Sequence, residues 1–251
     1  AYVLLNEYFR TMYLEGMVEK NPMNNVEMIK KANFLSAQGK DLLPECDAIT
    51  VLNSEEFKKF KKEAFATYSN GEIKHKQAAA YILMLNTGAR PGEILAVTNR
   101  DINVEKRQMK IRNSVKEVYN REGTKATGGR TSKVGKTKTL SSNRTVPLND
   151  TAIKMIKLLR EECYFGEDSP LICDEYGNYT KPVNFRKRFY RILDAAGIER
   201  KGLHSLRHTF ATNLVNGVRQ SDGKIRALSP KQVADILGHT TSQITEMYYV
   251  K

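Results

Sequence analysis

Four stretches contain residue types that could do chemistry: Thr87-Gly-Ala-Arg-Pro-Gly-Glu93, Lys136-Thr-Lys138 followed by Arg144-Thr-Val-Pro-Leu148, His204-Ser-Leu-Arg-His208, and Leu237-Gly-His239 followed by Tyr248-Tyr249. Together they offer what a phosphate ester needs. An arginine keeps its proton and grips two oxygens at once, so Arg90 and Arg207 can clamp the charge that in-line attack builds on the non-bridging oxygens. His204 lies three residues before Arg207, which on a helix puts both on one face. Lys138 can hand a proton to a leaving oxygen, and a tyrosine can attack if a base or nearby cations help remove its proton. Nothing in this set requires a metal.

Several of these residues have competing readings. His204 and His208 have the spacing of a helical zinc pair, but Ser205 stands where such a motif carries glutamate and no third ligand is evident, so no metal site is expected. Lys136 and Lys138 would point the same way on a strand, and Lys133 is a third candidate for the same task. Tyr248 and Tyr249 differ by about 100° in direction on a helix, so only one can face the phosphate. His208 is expected to be structural and His75 to lie on the surface.

The charge points to a polyanionic partner. The 251 residues carry 41 Lys+Arg against 28 Asp+Glu, a formal net charge of +13. Residues 106–144 hold +10 of it and residues 181–226 hold +8, leaving −5 for the rest of the chain. Two basic blocks separated by neutral sequence suggest one face assembled from distant segments. In the first block Lys125, Arg130, Lys133, Lys136 and Arg144 are candidate nucleic-acid contacts; in the second, Arg186, Lys187 and Arg188 interrupt an apolar stripe and form the basic side of a helix. At 40% hydrophobic and 27% charged, the composition excludes collagen-like and wholly disordered chains. With no apolar run near 18 residues and no signal-peptide layout at the start, a cytoplasmic protein without membrane contact is expected. Cys46, Cys163 and Cys173 read as small buried hydrophobes rather than a disulfide framework.

The elements that must position these groups are mostly helical. Val3 to Lys31 reads as a helix, a turn at Glu19-Lys-Asn-Pro22 and a second short helix, followed by a linker, with a domain boundary near residue 50. Asn53 and Glu56 form a capping box ahead of an amphipathic helix carrying Phe57, Phe60, Ala64, Phe65 and Tyr68. A buried helix from about Lys74 to Asn86 ends at the Gly88 to Gly92 turn, and Pro91 opens the next helix. Ile102, Val104, Met109 and Ile111, then Val115 and Val118, then Thr145 to Leu148 alternate as strands of a small antiparallel sheet around a long basic loop. Asp150, Asn184 and Ser229 are the caps expected for later helices, with another helix from about Ser205 to Asn216. The predicted class is mainly α with a small antiparallel β-sheet, α+β.

These residues and spacings resemble the tyrosine recombinases, the integrases of phages and mobile elements. That family's first box, Thr-Gly-x-Arg-x-x-Glu, matches Thr87 to Glu93, and its His-x-x-Arg matches His204 to Arg207. Its Leu-Gly-His with a tyrosine nine residues later matches Leu237 to His239 and Tyr248. Its strand pattern matches Lys138, Thr139, Ser141, Ser142, Arg144, Pro147 and Leu148, which favours Lys138 over Lys136. The resemblance runs from about residue 50 to the end, and residues 1–49 resemble the last part of the family's helical core-binding domain plus a linker. A longer loop at residues 116–135 and a polar insertion at residues 218–228 depart from compact members.

The resemblance implies a site-specific recombinase working through a 3′-phosphotyrosine without ATP, metal or cofactor. Tyr248 would be the nucleophile, Arg90 and Arg207 the phosphate clamp, and Lys138 the proton donor. His204 would be the proton acceptor, His239 a phosphate partner and Glu93 the orienting acid. It also implies double-stranded attachment-site DNA as substrate, a homotetramer on that DNA, and an excisionase or DNA-bending protein as accessory partner. A Xer-like chromosome-dimer resolvase is the alternative within the same chemistry, and a non-catalytic DNA-binding regulator is the alternative outside it.

Overall fold

The computed structural model describes residues 2–25, 50–122, 125–136, 143–219 and 225–238. The chain divides into two compact units, Ala1–Ala48 and Ile49–Lys251. In the first, helix α1 (Tyr2–Leu14) is followed by a 3-10 turn at Pro22–Asn25. Asn21 fastens the return by donating from Nδ2 to Asn6 Oδ1 at 3.0 Å and accepting from the Met23 amide at 2.9 Å. The short helix expected to follow lies outside the described residues.

The second unit is built around α3 (Ala78–Thr87), on which nearly every residue is buried. A helix apolar on all sides must be wrapped by others, and α2 (Ser54–Ala64), α5 (Asp150–Glu162) and α7 (His204–Asn216) pack against it. Its three consecutive alanines keep the opening turn slim, while Tyr81 supplies the bulk. The Tyr81 ring lies 4.5 Å from Phe185 and 5.3 Å from Phe189 of α6 (Pro182–Ala195), and its hydroxyl donates to the Phe185 carbonyl at 2.7 Å. That bond satisfies the one polar atom such a ring brings into a core.

The sheet is small and antiparallel, in the order β1 (Ile102–Asn103), β2 (Gln108–Ile111), β5 (Arg144–Pro147). Met109 pairs with Val146 and Ile111 with Arg144. Met109, Ile111 and Val146 are buried, so the period of two puts Arg144 on the inner face with them.

The architecture is α+β, as the sequence predicts, with several local differences. The basic block is not a loop but a hairpin, β3 (Asn113–Glu122) with β4 (Lys125–Lys136), because β-branched residues meet across it as Val115 with Val134 and Val118 with Thr131. The hairpin base rests on α4 (Pro91–Ala96), where Gly92 lets Ser114 and Val115 approach: a Cβ there would lie 2.6 Å from Ser114 Oγ and from the Val115 carbonyl. Helix α2 stops at Ala64, short of Phe65 and Tyr68, as the chain turns into a bridge between Thr67 and Ile73. Asn149 rather than Asp150 caps α5, accepting from the Ala152 amide, and Pro182 rather than Asn184 starts α6. His75 is not a free surface residue but contacts Glu63 at 2.9 Å. Cys163 and Cys173, which the sequence suggests are unpaired, are joined by a disulfide, since the end of α5 runs beside the 171–173 segment. Cys46 lies outside the described residues. Within the 218–228 segment, β6 (Val218–Arg219) and β7 (Ile225–Arg226) pair as short strands ahead of α8 (Pro230–Leu237).

Candidate active site around Glu93

The turn between α3 and α4 is the first part of the site. Gly88 ends α3 at φ 62°, and a Cβ there would lie 2.5 Å from the Phe210 ring and 2.8 Å from Leu237, so both backbone angle and space require glycine. Arg90 precedes a proline, which disfavours the helical conformation, and it sits extended at φ −70° and ψ 152°. Pro91 then starts α4 and places Glu93 one turn inside it.

Glu93 reaches back and binds Arg90 twice. Its carboxylate accepts from the Arg90 amide at 2.8 Å and from the Arg90 guanidinium at 2.7 Å. A second guanidinium, from Arg144 on β5, donates to Oε2 at 2.9 Å. The Glu93 side chain is only 3% exposed and that of Arg144 7%, whereas Arg90 keeps 35% of its side chain open to solvent. Burial alone would raise the Glu93 pKa, but the bonds and charge of Arg144, together with the Arg90 amide and guanidinium, outweigh it and hold the carboxyl below its ordinary 4.5.

The other side is assembled by α7 and α8. Arg207 is buried at 4% exposure; it donates to the Gly88 carbonyl at 2.7 Å and to the Leu237 carbonyl at 2.8 Å, joining the first turn of the site to the end of α8. Arg144 donates through Nε to the Ile236 carbonyl at 3.0 Å. Two cations therefore meet the last carbonyls of α8, which have no intrahelical partner. Ser229 and Gln232 cap the other end of α8 reciprocally. The start of α7 is braced by Lys201, which donates to Glu56 and to the Val51 carbonyl, and further along it Thr209 accepts from the buried Leu52 amide.

His204 opens α7. It keeps an exposed surface, yet the protein packed on its inner side strips water from the ring; that, with the charges of Arg207 and Arg90, outweighs Glu93 and lowers its pKa from 6.5. The imidazole is neutral at pH 7 and available to accept a proton. His208, one turn on, is lowered likewise by burial, His204 and Arg207. Among the described residues no group of three or more His, Cys, Asp and Glu side chains is placed to hold a metal ion.

Of the predicted site residues, Arg90, Glu93, His204 and Arg207 come together, and Arg144 joins them. Arg144, expected from sequence to contact DNA, is instead turned inward because it shares strand parity with buried Val146 and Leu148; that parity is the signal that places it. Lys138, His239, Tyr248 and Tyr249 lie outside the described residues. Lys125, Arg130 and Lys136 lie along β4, and Lys133 is exposed there opposite Lys116. Arg186 and Lys187 are exposed on α6, but Arg188 turns back to donate to Gln77 Oε1.

Three comparisons bear on this arrangement. The sequence pattern of the phage integrase family matches residues 51–251. A protein described as "tyrosine recombinase XerC-like" from Caldanaerobacter subterraneus subsp. tengcongensis is 28% identical over 263 residues, covering 98% of this chain and 60% of its own length. The tyrosine recombinase XerC of Agrobacterium fabrum is 25% identical over 179 residues, covering 70% of this chain and 46% of its own. The chain thus spans roughly half to three-fifths of those relatives. Among solved structures, the Tn1549 transposon integrase in complex with a circular intermediate DNA superposes with a TM-score of 0.69 at 19% identity, covering 100% of this chain and 73% of that one. A lambda integrase dimer bound to a COC′ core site superposes at 0.57 and 15% identity, covering 99% and 71%. At these identities the superpositions establish the shared fold.

Replacing Glu93 by Gln leaves the buried Arg144 guanidinium and the partly exposed Arg90 guanidinium facing a neutral amide, and is expected to destabilise the second unit by about 3 kcal/mol. The carboxylate's contribution is complete above pH 4.5 and is lost as pH falls through its lower folded-state value. Urea denaturation across pH should therefore show the gap between wild type and Glu93→Gln closing below pH 4.5; a gap that is small at pH 7, or constant with pH, contradicts this electrostatic role.

Proposed function

The chain belongs to the phage integrase family, and from that premise we propose that it is a site-specific DNA recombinase that cleaves and rejoins strands through a 3′-phosphotyrosine. The observation that carries the proposal is the convergence of Arg90, His204 and Arg207 around Glu93, with the end of α8 fastened beside them by Arg144 and Arg207. In sequence His239 lies two residues beyond Leu237, the last residue of α8. In this reading the Tyr248 phenolic oxygen attacks the scissile phosphorus and the bond to the 5′-oxygen breaks. Neutral His204 accepts the phenolic proton, and Lys138 protonates the departing oxygen. Arg90 and Arg207 offset the charge on the non-bridging oxygens, and His239 hydrogen-bonds one of them. The phosphotyrosine conserves the bond's energy, so a second 5′-hydroxyl can reverse the step and exchange strands.

Double-stranded attachment-site DNA is the proposed substrate, bound in the cytoplasm, with four copies acting on two sites and an excisionase or DNA-bending protein as accessory. Residues 1–49 are proposed to be the end of a core-binding domain plus its linker. The β3–β4 hairpin is proposed to lie along the DNA backbone. Lys116 and Lys133 face each other directly across it, a like-charge pair that costs stability unless an anion lies against it. The similarity to the Tn1549 integrase supports integration and excision of a mobile element. The XerC-like relative supports a second reading, resolution of chromosome dimers, and the two differ in whether an element end or a chromosomal site is cut.

A nicked duplex that traps the cleaved strand should yield a protein–DNA adduct that survives SDS and is insensitive to EDTA. The adduct is expected to vanish in Tyr248→Phe and persist in Tyr249→Phe; the reverse pattern overturns the nucleophile, and no adduct on any candidate site overturns the reaction. For the hairpin, Lys125, Arg130 and Lys133 replaced together by Ala should flatten the slope of log affinity against log salt by about 0.9 for each phosphate that is no longer neutralised. An unchanged slope removes the hairpin from the interface.

A further inference from the structure

We infer that Arg144 is a positioning residue for the proposed reaction, a single guanidinium that fixes Arg90, through Glu93, relative to the last turn of α8. Its catalytic consequence rests on the recombinase reading; its structural consequence rests on geometry alone. Three features of the site carry it. The Arg144 side chain is 7% exposed, against 35% for Arg90, and lies on the inner face of its strand beside the Glu93 carboxylate. Its donors go in two directions, NH2 to Glu93 Oε2 at 2.9 Å and Nε to the Ile236 carbonyl at 3.0 Å. A guanidinium is planar and rigid, so two such bonds set an angle as well as a distance between the groups they hold, which a lysine ammonium on a flexible stem cannot do.

The position of Arg144 in the chain makes this coupling consequential. It is the first residue of β5, so it directly follows the segment that contains Lys138. Glu93 is the acceptor that fixes both the backbone and the guanidinium of Arg90. Ile236 lies two residues before Gly238, which ends α8 at φ 68°, and three before His239 in sequence. One side chain thus links the strand after the proposed proton donor, the carboxylate under one clamp arginine, and the helix before the proposed phosphate partner. Arg207 makes the parallel bond to Leu237, so the last turn of α8 is held at two successive carbonyls.

The test compares Arg144→Met and Arg144→Lys with wild type in three measurements. At saturating nicked duplex, Arg144→Met should form adduct more slowly by on the order of tenfold to a hundredfold, as expected for misplaced reacting groups. Arg144→Lys should recover only part of that rate. The salt slope of DNA affinity should be unchanged in both, because neither substitution takes a phosphate ligand away. Amide hydrogen exchange over residues 233–238 should rise in Arg144→Met by more than it does across α3. A fall in salt slope with the saturated rate unchanged identifies Arg144 as a phosphate ligand and overturns the inference, and so does unchanged exchange in the last turn of α8. If wild type forms no adduct, the recombinase reading fails while the exchange measurement still decides the coupling. Should Arg144→Met not fold, Arg144→Lys carries the same rate, slope and exchange comparisons.

Discussion

A carboxylate buried without partners would take up a proton or unfold its surroundings, and this constraint governs the centre of the second unit. Glu93 stays charged because Arg90 and Arg144 meet it from different elements, offsetting a desolvation cost of several kcal/mol. Such a pair is weak evidence for stability, since apolar residues of the same volume could pack as well or better. Its value here is geometric. Each bond to the carboxylate fixes a guanidinium that would otherwise sample many rotamers, and it does so where α4, β5 and α8 meet.

The surrounding fold can be understood as what this carboxylate needs. Helix α3 is apolar on all sides so that it can be wrapped, and its end must be glycine because Phe210 and Leu237 close over it. That closure brings the Gly88 carbonyl to Arg207 and leaves the end of α8 within reach of two cations. Burial, with charge from the same cluster, Arg207 and Arg90, lowers the His204 pKa, so the arrangement that holds the site together also favours the neutral form of that imidazole. Among the described residues Arg144 and Arg207 are enclosed and bond carboxylate or backbone, while Lys133, Arg186 and Lys187 face solvent.

Much of this is legible in the sequence wherever local chemistry decides structure. The Asn53 and Ser229 capping boxes, Pro91 at the start of α4 and the helix break around Gly88 each follow from one or two residues, and each is present. The gathering of Arg90, Glu93, His204 and Arg207 is legible as motif and spacing. What is not legible depends on partners distant in sequence. The 113–136 block has the glycines and threonines of a loop, and only the register of Val115 with Val134 and Val118 with Thr131 makes it a hairpin. Asp150 loses the cap to Asn149 by one residue, a shift that helix periodicity does not resolve. Arg144 carries two opposed signals. In a region this basic its charge suggests DNA, while its parity with Val146 along the strand points inward, and the parity wins.

The most direct test of this account is the titration of Glu93 itself, followed through its side-chain carboxyl carbon by NMR in the folded chain. If two guanidinium groups hold the carboxylate in its charged form, its resonance should stay in the ionised position down past pH 4.5 and move only at lower pH or with acid unfolding. A carboxyl that takes up its proton at or above pH 4.5, as burial alone would dictate, contradicts the claim that the site is organised around it.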